Sequence, residues 1–167
     1  MSLLKLKTII RNVLLESKKP KTLYVFDFDH TLAQTLETDF RSFGGLDPKT
    51  QPKKEIFVKF ANKVENHPTM TFILTARPIK VKKLIIAWLN KHGVEILPKN
   101  VVCLGDSSPS KKRNWIQNKI SKTNAIKAMF WDDKEENVDS VAKLNNKEEY
   151  PDMDKVKVVS ILVPKND

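Results

Sequence analysis

The chain has 167 residues, of which 40% are apolar and four are glycine, which fits one domain with a full hydrophobic core and excludes a low-complexity protein. Thirty basic residues against twenty acidic ones give a formal net charge of +10, which favours polyanionic partners such as nucleic acid. No stretch reaches the ~18–20 apolar residues of a transmembrane helix, and a single cysteine excludes an intramolecular disulfide and predicts a reducing, cytoplasmic location.

The first 18 residues predict a separate amphipathic helix over 3–17. Leucine, isoleucine and valine recur there at helical spacing, with lysine and arginine between them. The segment lacks the uninterrupted apolar core and the cleavage site of a signal peptide. Such a helix can dock on a partner, lie on a membrane surface, contact nucleic acid or pack on its own domain, and packing is the commonest outcome. We expect residues 19–167 to form that single domain.

Short apolar runs alternate with amphipathic stretches along the rest of the chain. The apolar runs predict strands over 22–28, 70–75, 100–104, 127–131 and 156–163. Helical periodicity predicts helices over 52–66, 78–92, 110–121 and 134–145. Pro52 and Ser108 are expected to open two of these helices. The alternation predicts a three-layer, Rossmann-like α/β fold: a parallel sheet of about five strands with helices on both faces.

The segment 34–51 interrupts the alternation of strands and helices. It contains Gly44, Gly45, Pro48 and scattered threonines, which are typical of a loop or a small hairpin. A long connection at the mouth of the first strand is often functional. The segment is too short for a large cap domain, so we expect an open site.

The first predicted strand runs directly into two carboxylates, Asp27 and Asp29, with Thr31 just behind them. Residues i and i+2 of an extended chain point to the same side. Two carboxylates at such a short distance repel each other unless a cation or a shared proton offsets their charge. The pattern therefore indicates a metal site or acid–base chemistry. The alternative is a helix N-cap with an acidic first turn.

Further polar groups follow the other predicted strands, and the carboxyl ends of parallel strands meet at one sheet edge. In chain order they are Thr75, Arg77, Lys111, Lys112, Asp132 and Asp133. A carboxylate can attack phosphorus, a second can move the proton of the leaving group, and Mg²⁺ prefers carboxylate oxygens. A hydroxyl and an ammonium can hold phosphoryl oxygens. The set suits phosphoryl transfer through an aspartyl-phosphate.

The choice between the two neighbouring lysines rests on helical spacing. Lys112 shares a face with Ile116 and Ile120 at i, i+4 intervals. It therefore stands at the end of the apolar stripe that faces the sheet. Lys111 lies ~100° around the helix and is expected to be solvated or to contact substrate.

Three motifs resemble those of the haloacid dehalogenase superfamily, over residues from about 23 to 163. They are Asp27-Phe28-Asp29-His30-Thr31, Ile73-Leu74-Thr75-Ala76-Arg77 and Phe130-Trp131-Asp132-Asp133. A lone lysine near a helix start supplies the remaining motif. The resemblance implies an enzyme, a Mg²⁺-dependent phosphatase, with the fold predicted above.

The resemblance also implies a role for each matching residue. Asp27 is the nucleophile, Asp29 the general acid–base, Thr75 a ligand of the phosphoryl group and Lys112 the motif lysine. Mg²⁺ binds the Asp27 carboxylate, the Asp29 carbonyl and Asp132, and Asp133 is a ligand or an outer partner. His30 replaces a frequent glycine of the family; it shapes the turn, contacts substrate or is simply a polar turn residue.

Within the superfamily, the second and fourth motifs are similar to those in the phosphatase half of polynucleotide kinase–phosphatases and in related phage-type domains. In those domains an arginine two residues after the second-motif hydroxyl helps to bind the phosphate, and Arg77 matches its position. The chain has no phosphate-binding loop of a kinase. Phosphorylated nucleic-acid ends or nucleotides are thus the expected substrates. A catalytically silent module that binds nucleic acid or protein, and a phosphoprotein phosphatase, are the alternatives. The sequence specifies no oligomeric state.

Overall fold

The computed structural model describes residues 21–35, 45–47 and 49–164. The predicted helix over 3–17 lies outside the described residues, as does most of the loop over 34–51. Five strands form one sheet: β1 (Thr22–Phe26), β4 (Thr71–Thr75), β5 (Val101–Cys103), β6 (Lys127–Asp132) and β7 (Lys157–Leu162). Two short strands form a separate antiparallel pair: β2 (Ala33–Gln34) and β3 (Gln51–Pro52).

The sheet is parallel throughout, and its strand order is β5-β4-β1-β6-β7. The chain first adds strands on one side of β1 and then crosses to the other side, where β6 pairs with β1. The point at which the order reverses therefore lies between β1 and β6. In open α/β sheets, ligands bind outside the carboxyl ends of the strands at this point.

Within the described residues, four helices cover the two faces of the sheet: α1 (Lys54–Asn66), α2 (Lys82–Lys91), α3 (Pro109–Thr123) and α4 (Glu135–Ala142). Alternation along β1 decides which face each side chain meets. Tyr24 and Phe26 pack with buried residues of α1 and α2. Leu23 and Val25 pack with buried residues of α3 and α4. The predicted three layers of a parallel five-stranded sheet and its helices are confirmed.

The core on the α1 and α2 face is rich in aromatic rings. Phe26 stacks on Trp131 with ring centroids 4.2 Å apart and meets the edge of Phe60 at 5.2 Å. Phe28, just beyond β1, meets Trp88 edge-on at 5.2 Å. These contacts anchor the chain on both sides of Asp27, so that the end of β1 is held in place.

The ends of the elements differ from the sequence prediction in a few places. Pro52 does not open a helix; it belongs to β3 and pairs with Ala33, and α1 begins at Lys54. The reason is tertiary, since the Lys53 N–H donates to the Leu32 carbonyl at 2.9 Å and holds this segment extended. The predicted helix over 134–145 is α-helical to Ala142 and continues as a 3₁₀ turn over Lys143–Asn145.

Two further features agree with sequence expectations. Ser108 takes the N-cap position of α3, with Pro109 in its first turn. No helix in the described part of the chain is long and apolar enough to span a membrane.

Candidate active site

The carboxyl ends of β1, β4 and β6, together with the first turn of α3, bring the predicted polar residues to one edge of the sheet. Asp27 follows β1, Thr75 ends β4, and Asp132 ends β6. Since β1 lies between β4 and β6, Asp27 occupies the middle of the group. The convergence expected from the motif order is therefore present in the fold.

One ammonium group joins two of these carboxylates. Lys112 Nζ lies 2.7 Å from Asp27 Oδ1 and 2.6 Å from Asp132 Oδ2. All three residues are buried, with 3% of Lys112, 5% of Asp27 and none of Asp132 exposed. Lys111, the neighbouring lysine, is exposed. Lys112, which the helical-stripe argument selects, is thus the lysine that contacts the carboxylates, and Ile116 and Ile120 are buried on the same face of the helix.

Burial and neighbouring charges shift the pKa values of Asp27 and Lys112 by different balances of effects. Burial raises the pKa of Asp27 from 3.8 to about 7, against the opposing effect of Lys112 and with smaller contributions from Asp132 and Asp29. Burial alone would lower the pKa of Lys112, but the two carboxylates outweigh it and the net shift is upward. One cation between two buried carboxylates leaves an excess of negative charge that a bound cation can neutralise.

Asp133 adds a third buried carboxylate. One oxygen from each of Asp27, Asp132 and Asp133 lies within 4.8 Å of the other two. Three buried carboxylates offer only oxygen donors, which is the set that a hard divalent cation takes. The residues present therefore fit a metal site of the predicted kind.

The Asp132 carboxylate is held from α4 as well as from Lys112. Asn137 Nδ2 lies 3.0 Å from both of its oxygens, and the Lys134 N–H donates to Oδ1 at 2.9 Å. The Asp132 carbonyl accepts the Val163 N–H at 2.8 Å. Asn137 is not among the residues predicted from the sequence; the only sequence signal for it is an amide residue one turn into the helix that follows the acidic pair.

A second ion pair stands at the mouth of the site, between Asp29 and Arg77. Arg77 Nε lies 3.0 and 2.9 Å from the two carboxylate oxygens, and Nη2 lies 2.7 Å from Oδ1. Arg77 Nη1 donates to the Gly45 carbonyl at 2.6 Å. The predicted substrate-binding arginine is thus engaged with the predicted acid–base carboxylate.

Thr75 lies beneath this ion pair. Its hydroxyl accepts the Arg77 N–H at 3.2 Å and is 3.5 Å from Asp29 Oδ2. Thr75 is fully buried, and its contacts with Asp29 and Arg77 place its hydroxyl at the site. These contacts connect the second motif to the first.

His30 and Lys111 occupy the rim of the site. His30 has a φ of 54°, in the left-handed region, and its ring Nε2 is 3.5 Å from Thr35 Oγ1. It therefore shapes the turn after β1. Lys111 is exposed near Asp106, whose pKa is lowered chiefly by the Ser108 N–H and slightly by Lys111.

The single cysteine lies near the site without joining it. Cys103 is half-buried at the end of β5, packed against the aromatic core, and burial raises the pKa of its thiol. A thiol with a raised pKa is a poor nucleophile.

An acidic groove of about 790 Å³ opens beside Asp133. Its walls come from the first turns of α4 and from the chain leaving β7: Asp133, Lys134, Glu135, Glu136, Asp139, Leu162, Val163 and Pro164. The rim on the β6 and β7 side of the site is therefore negatively charged.

Comparison of the chain with protein-family models, with curated proteins and with solved structures finds no match.

Proposed function

We propose that the protein is a Mg²⁺-dependent phosphatase of the haloacid dehalogenase type, which hydrolyses phosphoric monoesters through an aspartyl-phosphate on Asp27. The observation that carries the proposal is the buried group of Asp27, Lys112 and Asp132 at the ends of the neighbouring strands β1 and β6. It unites a carboxylate nucleophile, a fixed cation and a metal ligand at the point where this sheet topology binds ligands.

The two carboxylates of the first motif differ in environment, and this supports different roles for them. Asp27 is buried at the centre, where its carboxylate can attack phosphorus. Asp29 lies toward the mouth, with 15% of its side chain exposed. There it can give a proton to the leaving oxygen and later take one from the water that hydrolyses the acyl phosphate.

The remaining residues would bind and orient the phosphoryl group. The Thr75 hydroxyl can donate to a phosphoryl oxygen, and Lys112 can offset the negative charge that develops on the phosphoryl group during its transfer. Mg²⁺, held by Asp27, Asp132 and Asp133, would neutralise the repulsion between the attacking carboxylate and the phosphate. Arg77 holds both oxygens of Asp29 in its ionised form, which is the form that takes a proton from water. When Asp29 instead carries the proton for the leaving oxygen, Arg77 would contact the phosphate, as the family resemblance implies.

Hydrolysis of p-nitrophenyl phosphate tests the proposal. Wild-type protein should release nitrophenol with Mg²⁺ and not with EDTA, and Asp27→Asn should lower the rate by more than about 10³-fold, since the nucleophile is removed. Asp106→Asn is a matched control at the same sheet edge and should keep most of the activity. Activity that survives in Asp27→Asn would refute the nucleophile. Salt-sensitive nucleic-acid binding without hydrolysis of any monoester would favour the silent module.

A further inference from the structure

Lys53, a residue that the sequence analysis did not select, is an unusual buried side chain. Only 1% of Lys53 is exposed, and it is among the largest fully buried side chains. It stands between β3 and α1, where a lysine would ordinarily be solvated. Lysine is almost never fully buried without partners for its ammonium.

The partners of Lys53 are two backbone carbonyls from distant parts of the chain. Nζ donates to the carbonyl of His30 at 3.3 Å and to the carbonyl of Pro164. His30 belongs to the turn that carries Asp29. Pro164 follows Val163, whose N–H donates to the Asp132 carbonyl at 2.8 Å. Lys53 therefore connects the turn after β1 to the segment after β7 that is hydrogen-bonded to Asp132.

The turn after β1 needs such support. His30 adopts a left-handed φ of 54°, which disfavours a residue with a side chain. The N–H groups of Leu32 and Ala33 both donate to the Phe28 carbonyl at 3.0 Å, and the Lys53 N–H donates to Leu32 at 2.9 Å. Lys53 thus grips the turn at two points, through its backbone and through its ammonium.

We propose that Lys53 is a positioning residue, whose ammonium fixes the turn carrying Asp27 and Asp29 relative to Asp132. The metal ligands come from both sides of this link, so their spacing depends on it. The inference rests on the proposed function for its kinetic consequences, but its consequence for metal binding stands without it.

The test uses Lys53→Met, which keeps an apolar stem and removes the ammonium. The Kd for Mg²⁺, from calorimetry, should rise about tenfold, the lower end of the loss that follows removal of a group bonded directly to a ligand, since Lys53 acts through the carbonyls of His30 and Pro164. With p-nitrophenyl phosphate, kcat should fall about tenfold or more while KM changes little, since Lys53 does not reach the substrate.

Two controls separate positioning from general stability. Lys54→Met changes the next residue, which is exposed in the first turn of α1, and should leave the Kd for Mg²⁺ within twofold. Val64→Ala removes buried apolar volume near the far end of α1. It should lower the melting temperature and leave that Kd unchanged. If Val64→Ala weakens Mg²⁺ binding as much as Lys53→Met does, Lys53 acts only through stability.

Each outcome has a distinct meaning. Wild-type Mg²⁺ affinity in folded Lys53→Met would overturn the inference even if the phosphatase proposal stands. An inactive wild type would overturn the phosphatase proposal and leave the metal-binding test intact. If Lys53→Met does not fold, Lys53→Gln replaces it, and the same loss of Mg²⁺ affinity is expected. Failure of both variants to fold would overturn the inference, because Lys53 would then support the whole fold.

Discussion

At the scale of single residues, the site depends on how buried charges are balanced. Asp27 and Asp132 share the one ammonium of Lys112, and Asp133 adds a further acid within reach. Burial penalises charge, which is why the pKa of Asp27 rises to about 7. The metal-free protein thus holds on Asp27 a proton that the unfolded chain releases at a much lower pH.

Mg²⁺ should therefore stabilise the protein more at pH 8 than at pH 6. Between pH 3.8 and about 7 the folded state binds a proton at Asp27 that the unfolded state has lost, so metal-free stability falls as pH rises and then levels off. Mg²⁺ must displace that proton. At a concentration 100 times its Kd, the ion adds about 2.7 kcal/mol. Thermal melts with and without Mg²⁺ measure the difference; equal shifts at both pH values would contradict the assignment of Asp27 as a ligand.

The Asp29–Arg77 pair predicts that lysine cannot replace arginine at residue 77. The guanidinium holds both carboxylate oxygens while it also donates to Gly45, a geometry that one ammonium cannot reproduce. We expect Arg77→Lys to lower kcat by about 10²-fold, a typical loss when an acid–base group is misplaced. Arg113→Lys, on α3 away from Asp29, is the control. Arg77→Lys with wild-type kcat would show that the forked contact is dispensable.

At the scale of elements, the starts of α3 and α4 each deliver one part of the site. The first turn of α3 presents Lys112, and the first turns of α4 present Asn137 and the Lys134 N–H to Asp132. The buried side chains of Lys112 and Asn137 make these contacts, in addition to the backbone N–H of Lys134. The precision of the site therefore depends on how these helices pack on the sheet.

Loss of the Asn137 amide should weaken metal binding without unfolding the protein. It donates to both oxygens of Asp132, and removing such outer partners commonly costs 10- to 100-fold in metal affinity, by order of magnitude about 1–3 kcal/mol. Calorimetric titration of Asn137→Ala with Mg²⁺ measures this. Asn118→Ala, an exposed residue of α3, should bind as wild type does. Unchanged affinity in Asn137→Ala would mean that Lys112 and the Lys134 N–H position Asp132 without the Asn137 amide.

Packing of α3 should affect stability and activity differently along its length. Ile116 and Ile120 are both buried on the sheet-facing stripe, so Ile116→Ala and Ile120→Ala should each lose about 2–5 kcal/mol in urea unfolding. Ile116 is one turn from Lys112, whereas Ile120 is two turns away. We expect Ile116→Ala to lower kcat as well, and Ile120→Ala to leave it near wild type. If both substitutions lower kcat equally, the effect of this packing on activity does not depend on closeness to Lys112, contrary to the prediction.

The elements show why sequence reasoning succeeded where it did. Apolar runs marked the five strands, and parallel strands bring their carboxyl ends to one edge, so the sequence alone predicts that Asp27 and Asp132 lie together. Asn137 and Lys53 were missed because their roles depend on distant partners; the Lys53 contact to Pro164 spans 111 residues. The prediction that Pro52 opens a helix was wrong because the hydrogen bond from the Lys53 N–H to the Leu32 carbonyl overrides the local preference of proline for a helix start.

At the scale of the whole molecule, charge is divided across the mouth of the site. The acidic groove flanks β6 and β7. On the opposite side, after β4 and β5, lysines without acids occupy the 3₁₀ turn before α2 and the first turns of α2 and α3: Lys80, Lys82, Lys83 and Lys111. A polyanionic substrate would be repelled by the first side and attracted by the second.

This division predicts that phosphorylated oligonucleotides are better substrates than sugar phosphates. Their kcat/KM should fall with rising salt as ion contacts are screened. The pair Lys82→Glu and Lys83→Glu should reduce kcat/KM for oligonucleotides and spare p-nitrophenyl phosphate. Assays on 3′- and 5′-phosphorylated oligonucleotides over a range of salt measure both effects. A salt-insensitive preference for sugar phosphates would contradict nucleic acid as the substrate.

The most direct test of Asp27 as the nucleophile is mass spectrometry of protein quenched in acid during turnover. The variant Asp29→Asn with p-nitrophenyl phosphate is best suited, because the nitrophenolate leaves without a proton while the attack of water on the acyl phosphate should slow, so that the intermediate accumulates. We predict the mass of one phosphoryl group on the peptide that contains Asp27. Phosphate found on another residue, or turnover with no modified peptide, would contradict the proposed reaction.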